Sequence, residues 1–203
     1  MTVPMGPASA RKRNINFWKK IRVFTATEAD AKVGADGTFD PLVWGYVGVM
    51  AAGSNMHRAP EITRDPINAF GNEFIMNNID FTKDVRVVTA LEDNATSFAI
   101  MHPGSEYVEE GASVLMAPLR DAEVIVAFES TNSWGDKYIE ISREFATAYS
   151  TAGQSRADDG AASAEITFEI PMGDDEGLYD QLIIRADDAA IVTPLDPIRI
   201  EAA

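Results

Sequence analysis

Residues 164–170 read AEITFEI, and this stretch has the clearest strand pattern in the chain. Its apolar side chains, Ile166, Phe168 and Ile170, alternate with polar ones. Alternation with a period of two is typical of a β-strand that has one face against a core and the other face in solvent. The stretch therefore predicts a strand of a sheet that is buried on one side.

Short patterns of the same kind recur on both sides of this strand. β-Branched and aromatic residues, which favour strands, are concentrated in segments separated by turn residues such as Asp36-Gly37. The segment 73–91 has two interpretations, one long strand or a pair of strands that turns near Asn77-Asn78. In chain order, the predicted strands are 15–25, 43–50, 73–91, 112–118, 123–129, 137–142, 164–170 and 182–185.

Only one helix is predicted. Asn94 or Thr96 can cap its start, and Pro103-Gly104 ends it. The apolar side chains between these bounds form one face of a short helix. Many short strands with a single helix predict a mainly β fold, a β-sandwich or partial barrel with one short flanking α-helix and long extensions.

Two segments do not follow the strand pattern. Residues 1–14, MTVPMGPASARKRN, predict an extended N-terminal arm ahead of a single domain at 15–203. Residues 51–72 contain two prolines and two glycines, and they predict a long loop. Structureless loops of that length are uncommon in compact domains and often have a function. A plain surface loop at 51–72 and a disordered tail at 1–14 are the alternatives.

The charge of the chain is uneven. The net charge is −15, from 17 bases and 32 acids. Six of the bases lie between Arg11 and Arg22, so the rest of the chain contains 11 bases and all 32 acids. An acidic protein repels nucleic-acid phosphates, so specific DNA binding is not expected. The basic arm favours contact with an acidic protein surface, with DNA or anionic lipid as the alternative. No segment has the ~18 apolar residues of a membrane span, which predicts a soluble protein without membrane contact.

The sequence contains little that indicates catalysis. With no cysteine, the chain has no disulfide, no thiolate metal site and no cysteine nucleophile. The glycine-rich patterns that bind phosphates and dinucleotides are absent, and so is the serine-hydrolase elbow. The two histidines, His57 and His102, have no second histidine nearby with which to share a metal. We therefore predict no catalytic, cofactor-binding or metal-binding residue and no enzymatic activity.

Two weaker signals leave alternatives open. Acids at 158–159, 174–176 and 187–188 can supply oxygen ligands for calcium, but the alternating pattern of a calcium-binding loop is absent and solvated turns explain these acids as well. The three tryptophans can stack on sugar rings. Trp18 and Trp44, however, lie in apolar strand contexts, which favours packing in the core.

One arrangement of segments resembles a known family. A strand with Trp44-Gly45-Tyr46-Val47 precedes the long loop at 51–72, and a strand rich in Val and Thr follows at 84–91. That strand leads into Glu92-Asp93-Asn94 and a short helix closed by glycine. In this order, over roughly residues 40–172, the chain resembles the major tail tube proteins of long, non-contractile (siphovirus-type) bacteriophage tails.

The resemblance implies a structural virion protein of the phage tail, assembled in the cytoplasm of the host bacterium. It implies copies of the chain that close into hexameric rings and stack into a tube, with other tail proteins at the tube ends. Double-stranded DNA passes through such a tube without specific binding, and an acidic lumen favours this passage. Capsid decoration, tail termination and a carbohydrate-binding or carbohydrate-hydrolysing β-sandwich are the alternative functions.

Contacts between subunits are predicted at apolar residues within polar segments. Such residues favour burial against a partner. They are Met56, Ile62, Ile67 and Phe70 in the loop at 51–72, and Phe17 and Trp18 beside the arm. The hypothesis is that sister copies cover the loop and the arm.

Overall fold

The structure is a computed structural model, and it describes residues 17–51, 54, 56–68, 74–105, 120–151, 163–186, 191–192 and 198–201. Within these residues the mainly β prediction is confirmed, because the chain forms one open antiparallel sheet and one helix. The predicted arm at 1–14 and the predicted strand at 112–118 lie outside the described residues.

The described residues form ten strands and one helix. The elements are β1 (Trp18–Ala26), β2 (Gly45–Tyr46), β3 (Ala59–Asn68), β4 (Phe74–Ala90), α1 (Ala95–Met101), β5 (Ala122–Asn132), β6 (Lys137–Ser142), β7 (Ala146–Tyr149), β8 (Ala164–Ile170), β9 (Tyr179–Ile184) and β10 (Ile191–Val192). Along the sheet the order is β10-β9-β6-β5-β7-β8-β4-β3, and β1 pairs with both β2 and β5. The neighbours β9-β6, β5-β7 and β8-β4 are not consecutive in the chain.

The sheet folds over on itself at β5. Residues 122–124 pair with β7, whereas residues 125–132 pair with β1 and, in part, with β6. The two halves of the sheet therefore face each other. Phe128 on β5 meets Phe168 on β8 edge to face, with 5.7 Å between the ring centroids, and both side chains are buried. The main core lies between the two halves.

A second core covers the opposite face of the half formed by β1, β5, β6 and β9. Residues 27–44 and Ile200 lie on this face. Trp44 is buried there, as predicted, and its indole N–H donates to the carbonyl of Lys32 at 2.8 Å. Because β5 is buried on both faces, its sequence at 123–129, EVIVAFE, is an almost continuous apolar run.

Most of the predicted strands are confirmed. The segments 137–142 and 164–170 coincide with β6 and β8, and 73–91 forms the single long β4 instead of a pair. At 43–50 only β2 forms a strand, and Met50 makes an isolated antiparallel bridge to Ala90. Gly48, with a φ of 121°, interrupts the segment between them. The sequence gives no prediction of β7, because alternating alanines favour strands only weakly.

The helix prediction is also confirmed. Asn94 is the N-cap, and its side chain accepts hydrogen bonds from the backbone N–H groups of Thr96 and Ser97. The Ser97 hydroxyl in turn accepts from the backbone N–H of Asn94 at 3.1 Å. This reciprocal capping box fixes the start of α1 shortly after the end of β4.

The predicted loop at 51–72 is wrong for its central part. Residues 59–68 form β3, which pairs with β4 along its whole length. Pro60 and Pro66 concealed the strand, because proline removes a hydrogen-bond donor and is excluded from the centre of a sheet. β3 lies at the edge of the sheet, where proline is accepted.

Gly37 provides a test of the packing in the second core. Its φ is 77°, and an added Cβ would lie 2.5 Å from Cδ1 of Ile184. Gly104 has a similar φ of 82°, and no described atom lies within 4 Å of an added Cβ. Both alanine variants carry left-handed strain of about 1–2 kcal/mol. We expect Gly37→Ala to lose about 1–3 kcal/mol more than Gly104→Ala, because only Gly37→Ala also overpacks a core.

Urea unfolding of the two variants and the parent chain measures this difference. Equal losses in the free energy of unfolding would contradict the close contact between residue 37 and β9.

Candidate functional site

β3 and β4 form a hairpin that extends beyond the folded sheet. Residues 84–90 of β4 pair with β8, whereas 74–83 pair with β3 alone among the described strands. At about 3.3 Å per residue, this unsupported part is roughly 30 Å long. We name residues 61–68 and 74–83 the overhang. An isolated two-stranded ribbon is only marginally stable in water, so a surface that covers the overhang would stabilise it.

Both faces of the overhang expose apolar side chains. Residues directly opposite each other in an antiparallel pair share a face. Ile67 and Met76 form such a pair, and their side chains are 46% and 54% exposed. On the other face Ile62 is paired with Phe81, both partly buried, and Ile79 is 62% exposed. Each face of the overhang therefore carries exposed apolar side chains among polar ones, and two of the predicted contact residues lie on it.

Two prolines lie on β3, at the free edge of the sheet. Pro60 and Pro66 are six positions apart, so their nitrogens point to the same side of the strand. Uninterrupted pairing with β4 requires that side to be the outer one, because proline has no N–H to donate. An edge that lacks these donors resists pairing with a strand of another chain. Contacts of the overhang with a partner would therefore use its side-chain faces.

A cleft of about 490 Å³ opens between the two halves of the sheet, at the end where β1 begins. We name it the mouth cleft. One wall is built from β1, β5, β6 and β9, and the other from Arg86 and the residues just before β3. Trp18 stands in this cleft, edge to face with Tyr138, with 5.2 Å between the ring centroids. Trp18 is 49% exposed, so the prediction that it packs in the core is wrong. β1 continues past the end of the main core, which leaves Trp18 outside it.

The other predicted contact residues are distributed unevenly. Met56 lines the mouth cleft together with Trp18, which brings two of the predicted residues to one place. Phe17 precedes Trp18 and is 68% exposed. Phe70 lies outside the described residues. The described members of the predicted set are thus divided between the overhang and the region of the mouth cleft, and no pattern in the sequence indicates this division.

A charged cluster forms the floor of the mouth cleft. The carboxylate of Glu140 accepts hydrogen bonds from Nη2 of Arg86, at 2.6 Å, and from Arg58. The side chain of Arg86 is 1% exposed. Its guanidinium carbon lies 4.4 Å from the ring centroid of Phe128 and 4.5 Å from that of Tyr179. Two aromatic rings and one carboxylate thus stabilise a guanidinium that would otherwise be costly to bury.

Asp84 extends this cluster into the half of the sheet that contains β4. The hydroxyl of Tyr179 donates to Oδ2 of Asp84 at 2.6 Å, and Nε of Arg86 lies 3.7 Å from the same oxygen. Burial raises the pKa of Tyr179, and the hydrogen bond to Asp84 raises it further, so this hydroxyl keeps its proton. Oδ1 of Asp84 and Nε of Arg86 have no hydrogen-bond partner among the described residues. Unpaired buried groups are rare in folded proteins, which sets this cluster apart from the ordinary core.

The outer face of the half formed by β7, β8 and β4 is polar and open. The β8 side chains on it, Glu165, Thr167 and Glu169, are exposed or half-buried. Glu169 accepts from Nζ of Lys83 at 2.8 Å and from the hydroxyl of Tyr149 at 3.0 Å. The hydrogen bond from Lys83 holds the pKa of Glu169 below its ordinary value. Glu169 on this face therefore stays ionised near neutral pH.

The described residues provide no obvious metal site. Within them, no group of three or more histidine or acidic side chains is arranged to hold a metal ion. His57 is exposed beside the mouth cleft, and His102 is the C-cap of α1. Of the acids considered for calcium, Asp175 forms an ion pair with Arg143, and the residues at 158–159 and 187–188 lie outside the described part of the chain.

Neither a scan against protein-family models nor a search of curated proteins gives a match to the chain. None of the helical structure in the described residues has the length and apolar character that a membrane crossing needs. The overhang, the mouth cleft and the open polar face are therefore the features from which function is inferred.

Glu140→Gln tests the charged floor of the mouth cleft. Burial alone would raise the pKa of Glu140, but Arg86 and Arg58 outweigh it and hold this pKa below the ordinary value of 4.5. A carboxyl whose pKa is lowered by folding stabilises the protein above its unfolded-state pKa, and this stabilisation is lost as the pH falls through the folded-state pKa. At pH 7 we expect Glu140→Gln to reduce the free energy of unfolding by about 3 kcal/mol, because the buried Arg86 loses the one carboxylate with which it is hydrogen-bonded among the described residues.

Denaturant unfolding at pH 7 and at a series of lower pH values measures the effect. The difference between the variant and the parent should shrink below pH 4.5, the ordinary value for a glutamate. Glu165→Gln is the control, since the same change at an exposed position on β8 should alter stability by less than about 0.5 kcal/mol. A difference that does not depend on pH would mean that the charge of Glu140 contributes nothing.

Proposed function

We propose that the protein is a structural subunit that assembles with copies of itself into hexameric rings and stacked tubes, as in the tail tubes of long-tailed phages. The overhang carries this proposal. It is a ribbon of roughly 30 Å with exposed apolar residues on both faces. Among the described strands, its two strands pair only with each other. Burial of apolar area against a neighbouring copy would stabilise it at about 25 cal/mol per Å².

The two prolines at the edge of β3 favour subunits that close into a ring over subunits that add strand to strand without limit. A free edge with a full set of donors can add strands without limit, which leads to aggregation. Because Pro60 and Pro66 withdraw two donors from the edge of β3, contact through the faces of the overhang is favoured. Face contacts between folded subunits can close into a ring, which fits the proposed hexamer.

The open polar face supports a role in lining a channel. It carries the carboxylates of Glu165 and Glu169 on β8, the pKa of Glu169 is held below its ordinary value, and the whole chain has a net charge of −15. A surface of this kind repels the phosphates of DNA, so DNA would move past it without binding. In the proposed tube this face is directed towards the lumen, and the subunit has no catalytic function. The tube belongs to the virion and is assembled in the cytoplasm of the host bacterium.

Electron microscopy of the purified full-length protein over a range of concentrations tests the assembly. Rings and tubes of uniform diameter are the expected result. Single rings or trimers that never extend into tubes would favour capsid decoration or tail termination, the alternative roles in the virion. Monomers at every concentration would overturn the proposal of self-assembly.

The double variant Ile67→Asp, Met76→Asp tests the overhang directly. It places two charges on one exposed face of the ribbon, and their desolvation would oppose burial against a neighbour. We expect a folded chain that forms no tubes, as judged by circular dichroism, analytical ultracentrifugation and electron microscopy.

Val49→Asp is the matched control, because Val49 is 54% exposed, as Met76 is, but its carbonyl accepts from the N–H of Leu91, beyond the end of β4 that is opposite the overhang. The control should assemble like the parent chain. Tubes of normal yield from the double variant would remove the overhang from the assembly mechanism.

A further inference from the structure

The mouth cleft has the dimensions and rigidity of a small-molecule site. Its volume of about 490 Å³ lies within the range of ligand pockets, roughly 300–1,000 Å³. Four of its polar side chains project from paired strands. Ser130 lies opposite Tyr138, and Glu140 lies opposite Gln181 in the sheet register. Groups held on paired strands keep their relative positions without a ligand, which reduces the entropy lost on binding.

A half-exposed indole, that of Trp18, lines the mouth cleft and offers an apolar surface to a ligand. Trp18 keeps 49% of its surface exposed while its ring packs at right angles to Tyr138. The contact with Tyr138 fixes the orientation of the indole and leaves part of its apolar surface towards the cleft. Aromatic rings of this kind offer a flat, electron-rich face to the C–H groups of a ligand.

The polar groups of the cleft can both donate and accept hydrogen bonds. The amide nitrogen of Gln181 lies 3.5 Å from Oε1 of Glu140, and the hydroxyl of Ser130 lies on the same wall. Hydroxyl, amide and carboxylate groups together offer donors and acceptors within a small area. A ligand that carries several hydroxyl groups matches this mixture, since each hydroxyl is both a donor and an acceptor.

The charges of the floor are already balanced. The guanidinium group of Arg86 forms ion pairs with the carboxylates of Asp84 and Glu140, and that of Arg58 forms an ion pair with Glu140. Two positive charges are thus balanced by two negative ones. A charged ligand would introduce a charge with no partner beside the buried Arg86, at a substantial cost in desolvation. A neutral ligand leaves the internal ion pairs intact.

From this geometry we propose that the mouth cleft binds a neutral saccharide, with one sugar ring stacked on Trp18 and its hydroxyl groups hydrogen-bonded to Glu140 and Gln181. This inference does not depend on the proposed assembly, because the cleft is distinct from the exposed faces of the overhang. It gives the protein a binding function in addition to a structural one.

Titration of the full-length protein with glucose, N-acetylglucosamine, maltose and cellobiose tests this site. Tryptophan fluorescence reports contact with an indole, and isothermal titration calorimetry gives the affinity. At least one neutral sugar should change the fluorescence, and Trp18→Ala should weaken its binding about tenfold. Trp134→Ala is the matched control, since Trp134 is 48% exposed and does not line the cleft, and it should leave the affinity unchanged.

Gln181→Ala supplies a second variant at an exposed side chain, so the test does not depend on the folding of Trp18→Ala. It should also weaken binding. Absence of binding by every neutral sugar would overturn the proposal, and so would binding that neither variant affects. Binding of glucuronic acid alone would overturn the expectation of a neutral ligand. None of these results alters the outcome of the assembly experiments.

Discussion

The structure depends on β5, which belongs to both halves of the sheet. Its first residues pair with β7 and its later residues with β1 and β6, so the sheet must turn over within a single strand. Once it does, Phe128 faces Phe168, and the main core forms between the halves. The other face of β5 is buried beneath residues 27–44. A strand buried on both faces fixes the relative position of the two cores, and every other element is placed with respect to it.

The fold-over also creates the two features from which function is inferred. The halves separate where β1 and β6 begin, and that opening is the mouth cleft. Arg86 lies at its floor, held between two aromatic rings and joined to Glu140 across the gap. This contact ties the half that contains β4 to the half that contains β6 by charge as well as by packing. Beyond Asp84, β4 is longer than its partner β8, and the additional length becomes the overhang.

Much of the fold follows from local patterns in the sequence, and the exceptions have physical causes. The alternation in 164–170 and the cap at Asn94 depend on nearest neighbours, so both are predictable. β3 was not, because the effect of Pro60 and Pro66 depends on whether a strand lies at the edge of a sheet. Exposed Met76 and Ile79 on β4 were missed for a related reason. Their sequence suits a buried strand, and only the tertiary pairing shows that this part of β4 has nothing beneath it. The mouth cleft joins residues from five strands, and no spacing along the chain reveals such a site.

The side chains that stabilise the fold and the side chains that are available to a neighbouring copy lie in different parts of the molecule, the first in the two cores and the second on the overhang. Side chains on β5 are constrained by two cores at once, so nearly any change there disturbs the whole molecule. Exposed positions such as Ile67 and Ile79 contribute little to either core, and they can be exchanged while the body stays intact. Evolution can therefore alter which surfaces recognise one another, and how tightly, without having to find a new way to fold.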